Sequence, residues 1–347
     1  GHPMKLACGI DMHARTSQIC VIDQQHTKLV ECKLPSTPLE VISVLEPFKE
    51  AELSIVIEST FYWYRMVDGL MDALFDVHLA HTLGLSYITQ AKVKTDRRDA
   101  FKLAQLLMAG LIPEAYIYPK EIRPVRDLLR QRHLVVARRA EEYRSLQNLL
   151  LQQGNLDAKY KDLQEAYGEE QLEEFFNDPF IRMHAQHELE RVDLLSEQIH
   201  EMEVAIREEA QQTEDYHRLM QMPGIGEMWA QTILYEIGCI ERFRDERHFS
   251  SYSRVVPGTA DSANTSKRGR GSKQGNPHLK YAFSQAAVAA VRCYPQVGRY
   301  FNKQLRKHKG RYGKLISYNN VAHRLAIACF HILRRKTDYD MRMQFGK

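Results

Sequence analysis

Lys94-Thr95-Asp96-Arg97-Arg98-Asp99, running on through Ala100-Phe101-Lys102-Leu103-Ala104-Gln105-Leu106-Leu107, is the stretch on which the fold of this chain turns. Phe101, Leu103, Ala104, Leu106 and Leu107 recur at helical spacing, so the two acids open a predicted helix. Asp96 and Asp99 stand one turn apart and share a face. They cannot pair with each other, and carboxylates so close repel unless a cation sits between them. Alone, the pair also reads as a helix cap, with Asp99 reaching back to Asp96. Two further acids, Asp11 and Glu58, each closing a predicted strand, favour the cation.

Working outward, the segment before the helix alternates strands and helices. Residues 5–10 are a short apolar run ending in Gly9-Ile10-Asp11, and residues 18–23 and 28–34 follow across the polar turn Gln24-Gln25-His26-Thr27. The first two of these strands and the turn predict an antiparallel meander. Residues 38–48 carry Val41, Val44, Leu45 and Phe48 at helical spacing, and Leu53-Ser54-Ile55-Val56-Ile57-Glu58 is a β-branched strand closed by an acid. A helix over 62–74 and a strand over 76–80 complete an α/β layer with a mixed sheet. Ligands of such sheets gather beyond the carboxyl ends of the strands. If the strands ending in Asp11 and Glu58 are neighbours, both acids point at one spot, and the helix delivers Asp96 and Asp99 to it. Four carboxylates without Cys or His form a hard oxygen site suited to Mg²⁺ or Mn²⁺. Two such ions about 4 Å apart stabilise both oxygens of an in-line phosphoryl displacement.

A length of 347 residues allows two or three domains, and 44% hydrophobic with 27% charged residues is ordinary globular composition. No apolar run is long enough to span a bilayer and no signal peptide is visible, which predicts a cytoplasmic protein. The opening Gly1-His2-Pro3 reads as a tag remnant. Cys8, Cys20, Cys32, Cys239, Cys293 and Cys329 form no C-x-x-C pair, so they read as buried thiols rather than a zinc ribbon or redox motif. Net charge is only +4, yet residues 262–314 contain no Asp or Glu and many Lys and Arg. Such a local field suits a polyanion.

Three parts are expected, over residues 4–120, 121–215 and 216–347. In the middle part Val192, Leu195, Ile199, Met202 and Ile206 step by three and four, while an earlier helix carries Leu128, Leu129, Val135, Val136, Leu146, Leu149 and Leu150. These are two long helices that pair with each other or with another subunit. The third part opens with Pro223-Gly224-Ile225-Gly226 ahead of a helix. Gly224 and Gly226 offer backbone N–H groups at a positive helix end, the helix-hairpin-helix way of holding a nucleic-acid phosphate, or form a plain interhelical turn. A polar loop over 258–275 holds Ser262, Thr265, Ser266, Lys267, Arg268, Arg270 and Lys273, and a second basic stretch holds Lys303, Arg306 and Lys307. The loop carries no large apolar residue and is expected to close on DNA or RNA.

Taken in order, Gly9-Ile10-Asp11, Ile57-Glu58, the K-T-D-x-x-D run at 94–99, the P-G-I-G turn at 223–226 and the segment 257–280 resemble the DEDD transposases of the insertion-sequence "one-ten" family, of which the Piv DNA invertase is a relative. The resemblance spans nearly the whole chain from Met4. It implies a RuvC-like, RNase-H-type N-terminal domain, a coiled coil and a helical C-terminal transposase domain. It implies that Asp11, Glu58, Asp96 and Asp99 hold Mg²⁺ or Mn²⁺. It also implies a serine nucleophile five residues after a proline, here Ser262 after Pro257. The loop is slightly shorter than the family pattern, so Thr265 and Ser266 stay alternatives. Family members are guided by a structured non-coding bridge RNA that pairs with donor and target DNA, so guide RNA and double-stranded DNA are the implied partners, with a homodimer or homotetramer as the assembly. A serine hydroxyl needs activation, and Lys267, Arg268 and Arg270 are placed to stabilise phosphorane charge. Two other readings compete with this recombinase: a metal-only nuclease resembling a Holliday-junction resolvase, and a non-catalytic nucleic-acid scaffold.

Overall fold

Lys5–Met12 forms the strand on which the first half of the chain is built, with Leu6 to Ile10 buried on both faces. The structure is a computed structural model describing residues 4–88, 96–165, 169–256 and 274–346. It divides into two units, Gly1–Lys120 and Glu121–Lys347. In the first, strands β1 (Lys5–Met12), β2 (Thr16–Ile22), β3 (Lys28–Pro35), β4 (Glu52–Glu58), β5 (Asp76–Ala80) and β6 (Glu114–Ala115) make one sheet in the order β3-β2-β1-β4-β5-β6. The antiparallel meander read for the first two strands extends to β3, whereas β1, β4 and β5 run parallel to one another.

Helices cover both faces. Below lie α1 (Pro38–Leu45) and α2 (Trp63–Asp72), whose Val41, Leu45, Met66, Val67 and Leu70 pack on Cys8, Ile10, Ile19, Ile55 and Ile57. Above lie α3 (Thr82–Ile88) and α4 (Asp96–Met108). Ala100 and Ala104 of α4 pack on Ala7, Cys20 and Ile22, and Leu103 packs on Val56 and Ala80. Gly9 lets α4 settle directly onto β1, because a Cβ there would run into the Ala100 carbonyl oxygen and the Ala104 amide. The contact thus uses small residues on both sides, Gly9 and Ala7 below, Ala100 and Ala104 above. The first helix stops at Leu45, three residues short of the predicted end. Pro47 lacks the N–H needed to continue an α ladder, and a 3₁₀ turn over Glu46–Phe48 takes over.

The second unit is helical. Its long helices α5 (Arg123–Gln152) and, after the short α6 (Tyr160–Glu165) and α7 (Glu169–Leu172), α8 (Pro179–Glu209) pair with each other and run antiparallel. Polar contacts record the direction: Arg132 meets Glu203, Arg139 meets Ser196 and Glu142 meets Arg191. Val192, Ile199 and Ile206, seven residues apart, are the buried members of the stripe. Then follow α9 (Glu214–Met220), α10 (Glu227–Ile237), α11 (Glu246–Tyr252), α12 (Pro277–Cys293), α13 (Pro295–Lys307), α14 (Gly313–Arg335) and α15 (Met341–Phe345). They close around Leu219, Ile233, Phe249, Phe283, Leu325 and Leu333. Cys8, Cys20 and Cys329 are the buried thiols expected, but Cys239 and Cys293 are exposed. No helix among the described residues is long and apolar enough to cross a membrane.

Candidate metal centre

The pairing of β1 with β4 ends at Ile10 opposite Ile57, so Asp11 and Glu58 are the next residues of neighbouring parallel strands. Strand alternation puts Asp11 on the side of Gly9 and Glu58 on the side of Val56, which is the side covered by α4. Close docking at Gly9 brings the first turn of α4, with Asp96 and Asp99, over the same strand ends. The Asp11 carboxyl records the outcome. Burial, as the largest cause, raises its pKa; His13 opposes the rise, and Asp99, Asp96 and Glu58 each add to it. Asp11 and Asp96 meet at one point, and Asp99 and Glu58 act on Asp11 through their charge.

Two basic groups share that point. His13 Nε2 lies 3.4 Å from Asp11 Oδ2 and 3.5 Å from Asp96 Oδ1. The three ligand atoms of Asp11, His13 and Asp96 all fall within 4.8 Å of one another. Lys33 Nζ donates to Asp96 Oδ2 at 3.2 Å, and this bond is the main cause that lowers the Asp96 pKa. Neither His13 nor Lys33 figured in the sequence reading. His13 had a signal, since residues two apart on a strand share a face. Lys33 did not: it reaches the site because β3 Lys33 lies opposite β2 Gln18, and Gln18 opposite Asp11. That row exists only once the registers are known.

A divalent cation fits these residues. Burial first, and then the charges of three other acids, disfavour the ionised Asp11 carboxyl more than His13 relieves it, and a bound cation reverses that balance. The carboxylate oxygens suit Mg²⁺ or Mn²⁺.

Other predicted residues lie in the second unit. Gly224 has φ +77° and stands against the Ala286 carbonyl of α12, so close packing alone requires glycine there. Gly226 is exposed, has open space where a Cβ would go, and caps α10, whose first-turn Glu227 is paired with Arg207 at 2.8 Å. Arg306 and Lys307 are exposed on α13 with Arg299 and Lys303, while Val297 and Phe301 hold its opposite side in the core. No ion pair engages these four cations among the described residues. Ser262, its alternatives Thr265 and Ser266, and Lys267, Arg268, Arg270 and Lys273 lie outside the described residues. The described flanks of that segment are tied together: Asn276 N–H donates to the Tyr252 carbonyl at 2.6 Å, and Asn276 Nδ2 donates to Glu236, which Arg130 grips through both oxygens at 2.6 and 2.7 Å.

Two family models match the chain. One, described as "Transposase" and of the DEDD IS110 type, covers residues 8–154 and so contains Asp11, Glu58, Asp96 and Asp99. The other, described as "Transposase IS116/IS110/IS902 family", covers residues 216–302. Together they account for more than half of the chain. A putative transposase y4qE of Sinorhizobium fredii is 26% identical over 208 residues, 60% of this chain and 50% of that protein. An insertion element IS110 uncharacterized 43.6 kDa protein of Streptomyces coelicolor is 28% identical over 128 residues, 37% of this chain and 31% of that protein. The matched part thus spans half or less of these relatives.

Proposed function

The chain belongs to the IS116/IS110/IS902 family of transposases, and from that premise we propose that it is the recombinase of an insertion sequence, cutting and rejoining DNA at a site built on Asp11, Glu58, Asp96 and Asp99. One observation supports this reading: at the ends of two parallel strands the partly buried Asp11 carboxyl meets Asp96 across His13, with the like charges of Asp99 and Glu58 also acting on it. Such crowding costs stability and is maintained where a cation is to be held. The four carboxylates, with Mg²⁺ or Mn²⁺, are the proposed catalytic centre of a RuvC-like domain over 4–120. Bound cations supply Lewis-acid stabilisation of charge at the phosphate.

In the proposed reaction Ser262 of the C-terminal transposase domain, over 216–347, is the nucleophile. Its Oγ forms a bond to the scissile phosphorus as the bond from phosphorus to a deoxyribose oxygen breaks. Phosphoserine forms and a DNA hydroxyl is released, taking up the proton that the serine gives up. A hydroxyl of the exchanged strand then attacks the phosphoserine, and Ser262 leaves with its hydroxyl restored. The number of phosphodiester bonds is conserved and no external energy is needed. Lys267, Arg268 and Arg270 stabilise the phosphorane charge. Lys273, Arg306, Lys307 and the turn at Gly224 and Gly226 bind nucleic acid backbone. Phe61 is 100% exposed three residues beyond Glu58 and offers a stacking surface for a base near the cut. A bridge RNA paired with donor and target DNA is proposed to read sequence, while the protein reads shape and backbone. The helices of 121–215 are proposed to contribute a coiled coil to a dimer or tetramer.

The test is a denaturing gel of the protein incubated with element-end DNA, its guide RNA and Mg²⁺. A DNA–protein adduct that disappears in Ser262→Ala and in Asp11→Ala is the expected result. Free cleaved ends that persist in Ser262→Ala would instead identify a metal-only nuclease.

A further inference from the structure

We propose that His13 is a ligand of the cation held by Asp11 and Asp96, so that the centre is a mixed nitrogen and oxygen site rather than four carboxylates alone. The inference rests on the reading of the acids as a cation site and adds a residue to it.

The distances argue for coordination. His13 Nε2 stands 3.4 Å from Asp11 Oδ2 and 3.5 Å from Asp96 Oδ1. Both exceed the usual 2.7 to 3.2 Å range of an N–H to oxygen hydrogen bond. One nitrogen between two carboxylate oxygens, all three atoms within 4.8 Å of one another, is an arrangement that a single ion can bridge. Ligand atoms about 2.1 Å from an octahedral Mg²⁺ or Mn²⁺ ion stand about 3.0 Å from one another at neighbouring positions, so an ion seated here would draw His13 and the two carboxylates together by roughly 0.5 Å.

The position of His13 is also built, although its side chain is half exposed. Its N–H donates to the Thr16 carbonyl at 3.0 Å, which closes the tight hairpin between β1 and β2. Its carbonyl accepts from Ser36 Oγ at 2.6 Å, and Ser36 Oγ is in turn 2.7 Å from Ser17 Oγ. The Ser36 amide donates to the Arg15 carbonyl at 2.9 Å. Both sides of the hairpin are therefore tied to the chain leaving β3, and the imidazole is presented from a fixed backbone. Asp96 is oriented to match. Lys33 holds its Oδ2 while Oδ1 faces His13, the outer-shell arrangement that fixes a ligating carboxylate.

An imidazole among carboxylates shifts preference away from Mg²⁺, which takes oxygen donors, toward Mn²⁺ and later transition metals. Pulsed electron paramagnetic resonance of Mn²⁺ bound to the full chain reads this without any reaction. Expected is ¹⁴N modulation from a coordinated imidazole in the unsubstituted protein, lost in His13→Ala and in His13→Gln. The Mn²⁺ Kd should rise roughly tenfold or more, and the ratio of Mn²⁺ to Mg²⁺ affinity should fall. Circular dichroism checks that both variants stay folded. Bound Mn²⁺ without imidazole modulation, or modulation and affinity unchanged in His13→Ala, would overturn the assignment and leave the carboxylate centre standing. Mn²⁺ that binds no more weakly to Asp11→Asn than to the unsubstituted chain would overturn the centre and the ligand with it.

Discussion

His133 shows how one buried side chain sets a measurable property of the second unit. It lies on α5, only 8% exposed, with its ring 4.8 Å from Trp229 and its Nε2 3.4 Å from the Thr232 hydroxyl. Burial first, then the neighbouring charges of Arg132 and His278, push its pKa down to about 4. The unfolded chain takes up this proton near pH 6.5, whereas the folded chain resists until about pH 4. Stability from this group is therefore complete above about pH 6.5 and falls through the window between the two values, by roughly 1.4 kcal/mol per pH unit. Replacing it with phenylalanine keeps a ring beside Trp229 and removes the titration. Urea unfolding at pH 7 and pH 5 is the measurement. The loss of stability between those values should be smaller in His133→Phe by about 2 kcal/mol. An equal loss in both proteins would show that the imidazole is protonated in the fold. The candidate site was only partly legible at this scale. Asp11 and Glu58 stand out because each ends an apolar run, and Asp96 and Asp99 because helix spacing joins them. His13 carried one signal, its place two residues after Asp11, which a turn residue also explains, and Lys33 was hidden by a register that composition does not encode.

Among elements, the decisive contact is that of α4 on β1. Everything the first unit offers to a cation depends on how far the Asp96 turn stands from the strand ends, and Gly9 sets that distance. A methyl group at Gly9 meets backbone atoms of Ala100 and Ala104, which cannot rotate away as a side chain can. Gly9→Ala should therefore destabilise the unit by about 1 to 3 kcal/mol, as overpacking of a close contact does. It should also weaken Mn²⁺ binding by lifting Asp96 and Asp99 from Asp11. A thermal melt with and without the ion checks both, and an unchanged response to Mn²⁺ would mean that α4 shifts along the strand instead. The strands and helices flanking this contact were readable because their apolar periods are clean. α3 and β6 were not. The first is short and contains Gly84 against Pro113; the second is two residues after that proline and joins only the last residues of β5. Tertiary contact, rather than local preference, makes both. The pairing partner of the long helices was likewise open in the sequence. An a/d stripe fits an antiparallel neighbour in the same chain as well as another subunit, and polar rungs such as Arg132 with Glu203 show the pairing within this chain.

Across the whole molecule, 48 basic and 44 acidic residues nearly cancel, yet they are not mixed evenly. From Ser262 through Thr337 no carboxylate side chain occurs, so α12, α13 and α14 offer cations without internal neutralisation. Where this stretch meets acids among the described residues, it borrows them from elsewhere in the second unit, as Lys336, just past α14, does from Asp215 and His331 from Glu246. Arg299, Lys303, Arg306 and Lys307 on α13 borrow none among the described residues. A surface of this kind binds the phosphate backbone by releasing its counter-ions, which ties affinity to salt rather than to sequence. Changing Lys303, Arg306 and Lys307 together to alanine leaves Val297 and Phe301 to hold α13 in place. The logarithm of affinity for duplex DNA, plotted against the logarithm of salt concentration, should then lose roughly 2 to 3 units of slope, about one for each phosphate contact removed. The loss should be the same for unrelated DNA sequences, since backbone contacts position without specifying. A slope that does not change would place the nucleic acid on another face, and a loss confined to one sequence would make α13 a reader of bases.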